Sequence, residues 1–157
     1  MKKWLLLSAI IILTTLQLIW PGFLVFFHCK PDLLLVFTVS LVFYLDFKTA
    51  LIFAVLAGLT KDIFLPVFFA VNTISFSVWS YLAYRLSGQI STENDYVRLA
   101  IVLIAAFLNN IITGLGILNS GNIIPPGIFL RNLIIPSVYS AALSPLIFKL
   151  IKKITVY

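Results

Sequence analysis

The sequence predicts an all-α membrane protein, a polytopic bundle of about six transmembrane helices that forms a single transmembrane domain over residues 1–157. Hydrophobic residues make up 62% of the chain and charged residues 10%, whereas soluble domains have about 45–50% and about 25%. So small a domain cannot hide that much apolar surface from water. Pro, Gly and charged residues also divide the chain into runs near the roughly 20 residues that a membrane-crossing helix needs.

The first predicted span follows a basic start and continues without a small-residue cleavage site, so we interpret it as a retained helix and not as a signal peptide. It kinks or ends near Pro21 and Gly22. The second span is short for a full crossing, and the third follows it closely. The first three spans are predicted over residues 4–26, 32–44 and 49–65.

The fourth span ends at the polar stretch RLSGQISTENDYVR, which has the composition of a solvated loop. The fifth span ends before NSGNIIPPG, where Gly and a Pro pair separate it from the last span. These three spans are predicted over residues 67–84, 97–118 and 129–151.

The distribution of basic residues predicts that both termini are cytoplasmic, because Lys and Arg collect in the short loops on the inner side. That orientation places on the inner side Lys2, Lys3, Lys48, Arg85, Arg98, Lys149, Lys152 and Lys153. It leaves on the outer side Lys30, Lys61 and Arg131. The basic residues stand singly or in pairs, so the net charge of +6 does not indicate a nucleic-acid surface. We expect lipid contacts and no nucleic acid.

Nothing in the chain predicts catalysis, a cofactor or a metal. His28 is the one histidine and Cys29 the one cysteine, and the sequence has no HExxH, GxSxG or phosphate-binding GxxxxGK[ST] motif. An intramembrane di-aspartate protease is the enzyme class closest to the composition, but its Asn-x-x-Asp-Arg type of motif is absent. We therefore expect a protein that is not an enzyme.

Two carboxylates next to apolar runs need a physical reason, because charge inside a bilayer costs about 2.5–3.5 kcal/mol. Asp32 follows Pro31 at the start of the second span and can cap that helix. Asp62 lies near the end of the third span, where it opposes the helix dipole, so capping does not explain it. Both belong to the predicted outer side. A structural ion pair and a contact with a ligand or partner both remain open.

Small residues line one face of the third span at four-residue spacing, namely Ala50, Ala54 and Gly58. Such a face lets helix backbones approach closely in lipid, within the chain or against a partner's helix. Asn72 in the fourth span is expensive in hydrocarbon unless it is bonded across helices. The candidates for partner contact or helix packing are Pro31, Asp32, Ala50, Ala54, Gly58, Asp62, Asn72 and Arg85.

The order and spacing of these residues resemble the rod shape-determining protein MreD family. The matching positions are Pro31 and Asp32, then Gly58, Leu59 and Asp62, then Pro66, Asn72, Tyr81, Leu82, Ala83 and Arg85. The segment RNLIIPSVYSAALSPLIFKLIKKI also resembles the last helix of the family. Ala70 departs from the pattern, because the family often has Gly there.

The resemblance implies a non-enzymatic subunit of the bacterial elongation machinery in the cytoplasmic (inner) membrane, which supports lateral peptidoglycan synthesis. Its implied partner is MreC and, through it, MreB, RodA and a class B penicillin-binding protein. The alternative is the substrate-binding subunit of an energy-coupling-factor vitamin transporter, and we expect MreD-like proteins to have a fold similar to it. Such a subunit needs an Ala-x-x-x-Ala face on its first helix. This first helix offers only Ser8 and Ala9.

Overall fold

The computed structural model describes residues 3–25, 27–64, 70–90 and 94–156. Within these ranges the regular structure is helical and contains no β-strand. The α-helices are α1 (Lys3–Leu18), α2 (Leu33–Leu41), α3 (Phe47–Phe64), α4 (Val71–Ser87), α5 (Asp95–Asn119) and α6 (Pro126–Val156). A 3₁₀ turn, Gly22–Leu24, follows α1. The predicted all-α class is confirmed.

Most helix boundaries lie near the predicted breaks. α1 ends before Pro21, where the chain turns into the 3₁₀ segment, and α5 ends at Asn119 before the Gly-containing loop. α6 begins earlier than predicted, at Pro126, because Pro favours the first helical position. The predicted span limits at residues 26, 65 and 67 lie outside the described residues, as does Pro66.

The second predicted span differs most from the observed helix. α2 has nine residues, so it is about 13 Å long, less than half of the roughly 30 Å hydrocarbon core. It begins after the Asp32 cap, and its end is a tight turn in which Phe43 N–H donates to the Ser40 carbonyl at 3.1 Å. All nine residues are buried. α2 is therefore a core helix with no face left for lipid.

The other helices surround α2. It contacts every other α-helix, while α3 packs most extensively on α4 and α5 on α6. The interior is a single cluster of aliphatic and aromatic side chains to which all six helices contribute. Its largest fully buried members are Phe37, Phe76, Leu6, Leu34, Leu35, Leu41 and Ile151.

The outer surface of this bundle is apolar. Exposed large hydrophobic side chains occur on every helix except α2, among them Ile11 at 62%, Ile63 at 72% and Leu146 at 62%. Within the described residues, two helices are long and apolar enough to cross a membrane, Asp95–Asn119 and Pro126–Thr155, and Trp4–Leu18 is a shorter apolar helix. The surface therefore has the composition expected for contact with lipid.

Polar side chains concentrate at two levels of the bundle. One level, here called the carboxylate end, holds Asp32, Lys61 and Asn110. The other, called the arginine end, holds Tyr44 and Arg98. Arg98 and Asn110 are twelve residues apart on α5, which corresponds to about 18 Å along the helix axis.

Candidate functional site

Asp32 joins three helices at the carboxylate end. Its Oδ1 accepts a hydrogen bond from the Leu35 backbone N–H at 3.2 Å, which is the expected N-cap of α2. Its own backbone N–H donates to Ser140 Oγ on α6 at 2.9 Å. Its Oδ2 pairs with Lys61 on α3. One residue therefore fixes where α2 begins relative to α3 and α6.

Lys61 is held between a charge and an aromatic ring. Its Nζ forms the ion pair with Asp32 and lies 5.1 Å from the centroid of the Phe76 ring on α4. The side chains of the pair are only 13% and 12% exposed. Removing one partner of so buried a pair leaves an uncompensated charge, which is far more costly than removing both.

Asp62 has a role that the sequence reasoning missed. It accepts hydrogen bonds from the backbone N–H groups of Asn72 at 3.1 Å and Thr73 at 2.9 Å. It also accepts from Asn72 Nδ2 at 2.9 Å and Thr73 Oγ1 at 2.6 Å. The carboxylate therefore caps α4, the helix that follows its own. The inference that capping does not explain Asp62 is wrong, because it considered only the dipole of α3.

The signal for this cap lies at residue 70. A helix start usually carries Ser, Thr, Asp or Asn as N-cap. Here the N-cap of α4 is Ala70, which makes no side-chain hydrogen bond and has φ = 56°. Gly adopts a left-handed conformation most readily, so Ala70 holds this φ at a steric cost. The first turn of α4 needed an acceptor from elsewhere, and Asp62 supplies it.

Gly58 lies where the backbones of α3 and α4 meet. A Cβ built on Gly58 would lie 2.8 Å from Thr73 N and 2.9 Å from the Asn72 carbonyl oxygen, and closer still to Thr73 Cα. Ala50 and Ala54 on the same face are fully buried. The small-residue face therefore has a neighbour within the chain, and the close approach brings Asp62 within reach of its two partners.

A cleft of about 310 Å³ opens beside the ion pair of Asp32 and Lys61. The charged groups at its wall are Lys30, Asp32 and Lys61, and Gln17 Oε1 is buried there without a hydrogen-bond partner in the described chain. The remaining lining residues are Leu18, Pro31, Asn110 and Pro136. Residues of α1, α3, α5 and α6 and of the segment that leads into α2 thus converge on one opening.

The structure does not bring all the sequence candidates to this cleft. Pro31 is fully buried at its wall, Asn72 is buried against Asp62 and does not line the cleft, and Arg85 is exposed near the end of α4. Among the described residues, neither Lys30 nor Arg131 forms an ion pair with a carboxylate. Asn110, at the cleft, donates from Nδ2 to Ser137 Oγ on α6 at 2.9 Å, which is the interhelical bond that an asparagine inside an apolar span needs.

The contacts of both carboxylates suit positioning. Asp62 has four donors directed at its oxygens, and Asp32 has a cation and a backbone N–H. In the part of the chain that the structure covers, no three His, Cys, Asp or Glu side chains are close enough to hold a metal ion together. The arrangement fixes helix ends around a cleft.

A family model described as rod shape-determining protein MreD covers residues 1–154 of the 157. No curated protein and no solved structure matches the chain.

Proposed function

The chain belongs to the rod shape-determining protein MreD family, a family of membrane proteins that acts in determining cell shape, and we propose that it is a non-enzymatic subunit of the elongation machinery that binds MreC. The observation that carries the proposal is the carboxylate end, where charged groups fix four helices around an open cleft. MreB, RodA and a class B penicillin-binding protein are the indirect partners. Through MreC, the protein supports lateral peptidoglycan synthesis.

The proposal includes a single multi-pass domain in the cytoplasmic membrane with both termini inside the cell. The asymmetry of Lys and Arg supports this orientation. It puts the arginine end on the cytoplasmic side and the carboxylate end on the outer side. α2, although short, connects the two levels, because Asp32 precedes it and Tyr44 follows it. Reporter fusions at residue 157 test the orientation, which an extracytoplasmic C-terminus would contradict.

We assign Asp32, Lys61 and Asp62 a positioning role in MreC binding. A rigid arrangement of helix ends keeps the cleft in one shape, and preformed surfaces lose less entropy on association. The exposed ammonium group of Lys30 at the cleft provides a contact that is not already used within the described chain. Pro31 and the face made by Ala50, Ala54 and Gly58 are packed inside the bundle, and we propose that this packing keeps the helix ends in place.

A pair of variants separates positioning from chemistry. Lys61→Met leaves Asp32 unpaired and is expected to lower abundance and abolish rod shape in a strain depleted of the native protein. Asp32→Asn/Lys61→Met keeps an N-cap residue and removes both charges, so it is expected to restore shape and MreC co-purification. Asp46→Asn, an exposed carboxylate near the start of α3, is the matched control. A correctly folded double variant that binds MreC but cannot support rod shape would contradict the positioning role.

The partner contact is tested by reversing one exposed charge. Lys30→Glu at the cleft is expected to reduce MreC co-purification at least fivefold without reducing abundance, since the reversed charge would slow association and repel the acidic groups that Lys30 attracts. Lys48→Glu, also an exposed lysine but near the arginine end, should have no such effect. Equal losses for both variants, or no loss for Lys30→Glu, would place the MreC contact elsewhere.

The transporter alternative gains no support from these comparisons, because the family match covers nearly the whole chain and points to shape determination. The carboxylate end also differs from a closed vitamin pocket. Its cleft is open, and the charged groups at its wall include an ion pair that is already complete within the chain.

A further inference from the structure

A second cavity, of about 220 Å³, lies at the arginine end between the turn after α2, the first turn of α5 and the last third of α6. Its charged wall consists of Arg98, Lys149 and Lys152, with Asp95 as the one acid. Lys149 and Lys152 are three residues apart on α6 and so project from the same side of the helix. Phe148 and Pro145 give the cavity an apolar floor.

The guanidinium of Arg98 is held in place and retains donor capacity. Its Nη1 donates to Tyr44 Oη at 3.0 Å and to Asp95 Oδ1 at 3.2 Å, and the group lies 5.1 Å from the centroid of the Tyr44 ring. Its Nε is buried and has no hydrogen-bond partner in the described chain. Asp95 neutralises part of the charge, but its side chain is 80% exposed and leaves the two lysines unpaired among the described residues.

We propose that this cavity binds the phosphate headgroup of an anionic phospholipid, with Arg98, Lys149 and Lys152 as its ligands. Three cations against one acid leave an excess positive charge that a phosphodiester matches. The combination of a basic rim and an apolar floor fits a headgroup whose glycerol and acyl chains continue into the bilayer. Basic pockets between transmembrane helices are known to take such lipids. No step of the proposed MreC interaction uses these residues.

The site is tested on the full-length protein in neutral detergent by native mass spectrometry. Phosphatidylglycerol is expected to bind more tightly than phosphatidylethanolamine, whose ammonium group would face the cationic wall. Lys149→Gln/Lys152→Gln should weaken phosphatidylglycerol binding roughly 30-fold. Both lysine side chains lack ion pairs among the described residues, so lipid-free thermal unfolding should stay unchanged and show that the variant folds.

The matched control is Lys153→Gln, which removes an adjacent charge on the same helix that does not line the cavity. It should retain nearly the affinity of the unmodified protein. An equal loss for Lys153→Gln, or equal binding of the two lipids, would overturn the site in favour of general electrostatic attraction. Inorganic phosphate that displaces the lipid at equal concentration would show an anion site without lipid specificity. An acidic hexaglutamate peptide that binds where phosphatidylglycerol does not would assign the cavity to a protein partner.

Discussion

At the scale of single residues, Gly58 marks the tightest constraint in the structure. Gly58→Ala normally stabilises a helix by about 1 kcal/mol, yet here the added Cβ would meet the backbone of Thr73 and Asn72. Backbone cannot rotate aside as a side chain can, so α3 and α4 must separate. We expect the substitution to lower the free energy of unfolding by about 2 kcal/mol or more, measured in mixed micelles.

Gly127→Ala is the control for Gly58→Ala, since a Cβ on Gly127 has no atom within 4 Å. It should leave the free energy of unfolding unchanged or raise it. If Gly58→Ala is as stable as Gly127→Ala, the close approach of α3 and α4 does not exist. If Gly58→Leu supports normal rod shape, the small-residue face is not required.

Single residues also show what the sequence can and cannot predict. Asp32 was predictable as a cap because a carboxylate after Pro31 at the start of an apolar run acts on its own helix. Asp62 was not, because its partners Asn72 and Thr73 belong to the next helix and depend on the approach at Gly58. Local rules describe a residue within its own helix. They do not describe contacts that tertiary packing creates.

At the scale of one helix, α6 contains two prolines, Pro136 and Pro145, and still continues over 31 residues. Pro145 has no N–H, so the Ala141 carbonyl loses its usual helical donor. Ser144 Oγ donates to that carbonyl at 2.7 Å, and both residues are buried. The serine before the proline therefore satisfies the acceptor that the proline leaves unpaired.

If Ser144 compensates for Pro145, the loss of stability caused by Ser144→Ala should depend on whether Pro145 is present. Ser144→Ala should cost about 1–3 kcal/mol of unfolding free energy, because the Ala141 carbonyl stays buried and unpaired. In Ser144→Ala/Pro145→Ala the new backbone N–H pairs with that carbonyl, so most of the loss should be recovered. A double-mutant cycle from thermal unfolding in detergent measures the coupling.

Ser87→Ala serves as the comparison for Ser144→Ala. Ser87 Oγ makes the same kind of bond to the Tyr84 carbonyl at 2.8 Å, but at an exposed helix end where solvent or lipid headgroups can replace it. Ser87→Ala should therefore lower the free energy of unfolding only slightly. Equal costs for the two serines, or no recovery in the double variant, would show that Ser144 does not act through the carbonyl freed by Pro145.

Helix length was less predictable than helix position. The apolar run from residue 33 to 45 gives no sign of where α2 stops, because hydrophobicity continues through the turn that ends it. The stop depends on packing against every other α-helix, which composition does not record. Spans of ordinary length, such as α5, were predictable because lipid contact and the break at Gly121 act locally.

At the scale of the whole molecule, the two polar levels are about 18 Å apart, less than the roughly 30 Å of an average hydrocarbon core. Either the bilayer thins around the protein, at a fraction of a kcal/mol per Å, or charged groups lie below its surface, at about 2.5–3.5 kcal/mol for a charge near the bilayer centre. Thermal unfolding temperature should therefore be higher in nanodiscs of shorter-chain lipids than in those of longer-chain lipids.

The change of thermal unfolding temperature with bilayer thickness should be smaller for Asp32→Asn/Lys61→Met. This variant lacks the charged pair at the carboxylate end. Both proteins are compared in the same series of nanodiscs with one headgroup composition, so that lipid binding at the arginine end stays constant. A thickness dependence equal for both proteins would show that the ion pair is not part of the mismatch. Greater stability in the thicker bilayers would contradict the 18 Å spacing as its cause.

The complete burial of α2 also determines the order in which the protein can be made. The Asp32 amide that opens α2 bonds to Ser140, which is 108 residues later in the chain. At about 5–20 residues per second, the ribosome reaches Ser140 roughly 5–20 s after Asp32. Throughout that interval the nascent α2 has no complete set of neighbours. The last helix therefore closes the molecule, and a chain whose translation stops before α6 should be cleared by membrane proteases however well its earlier helices insert.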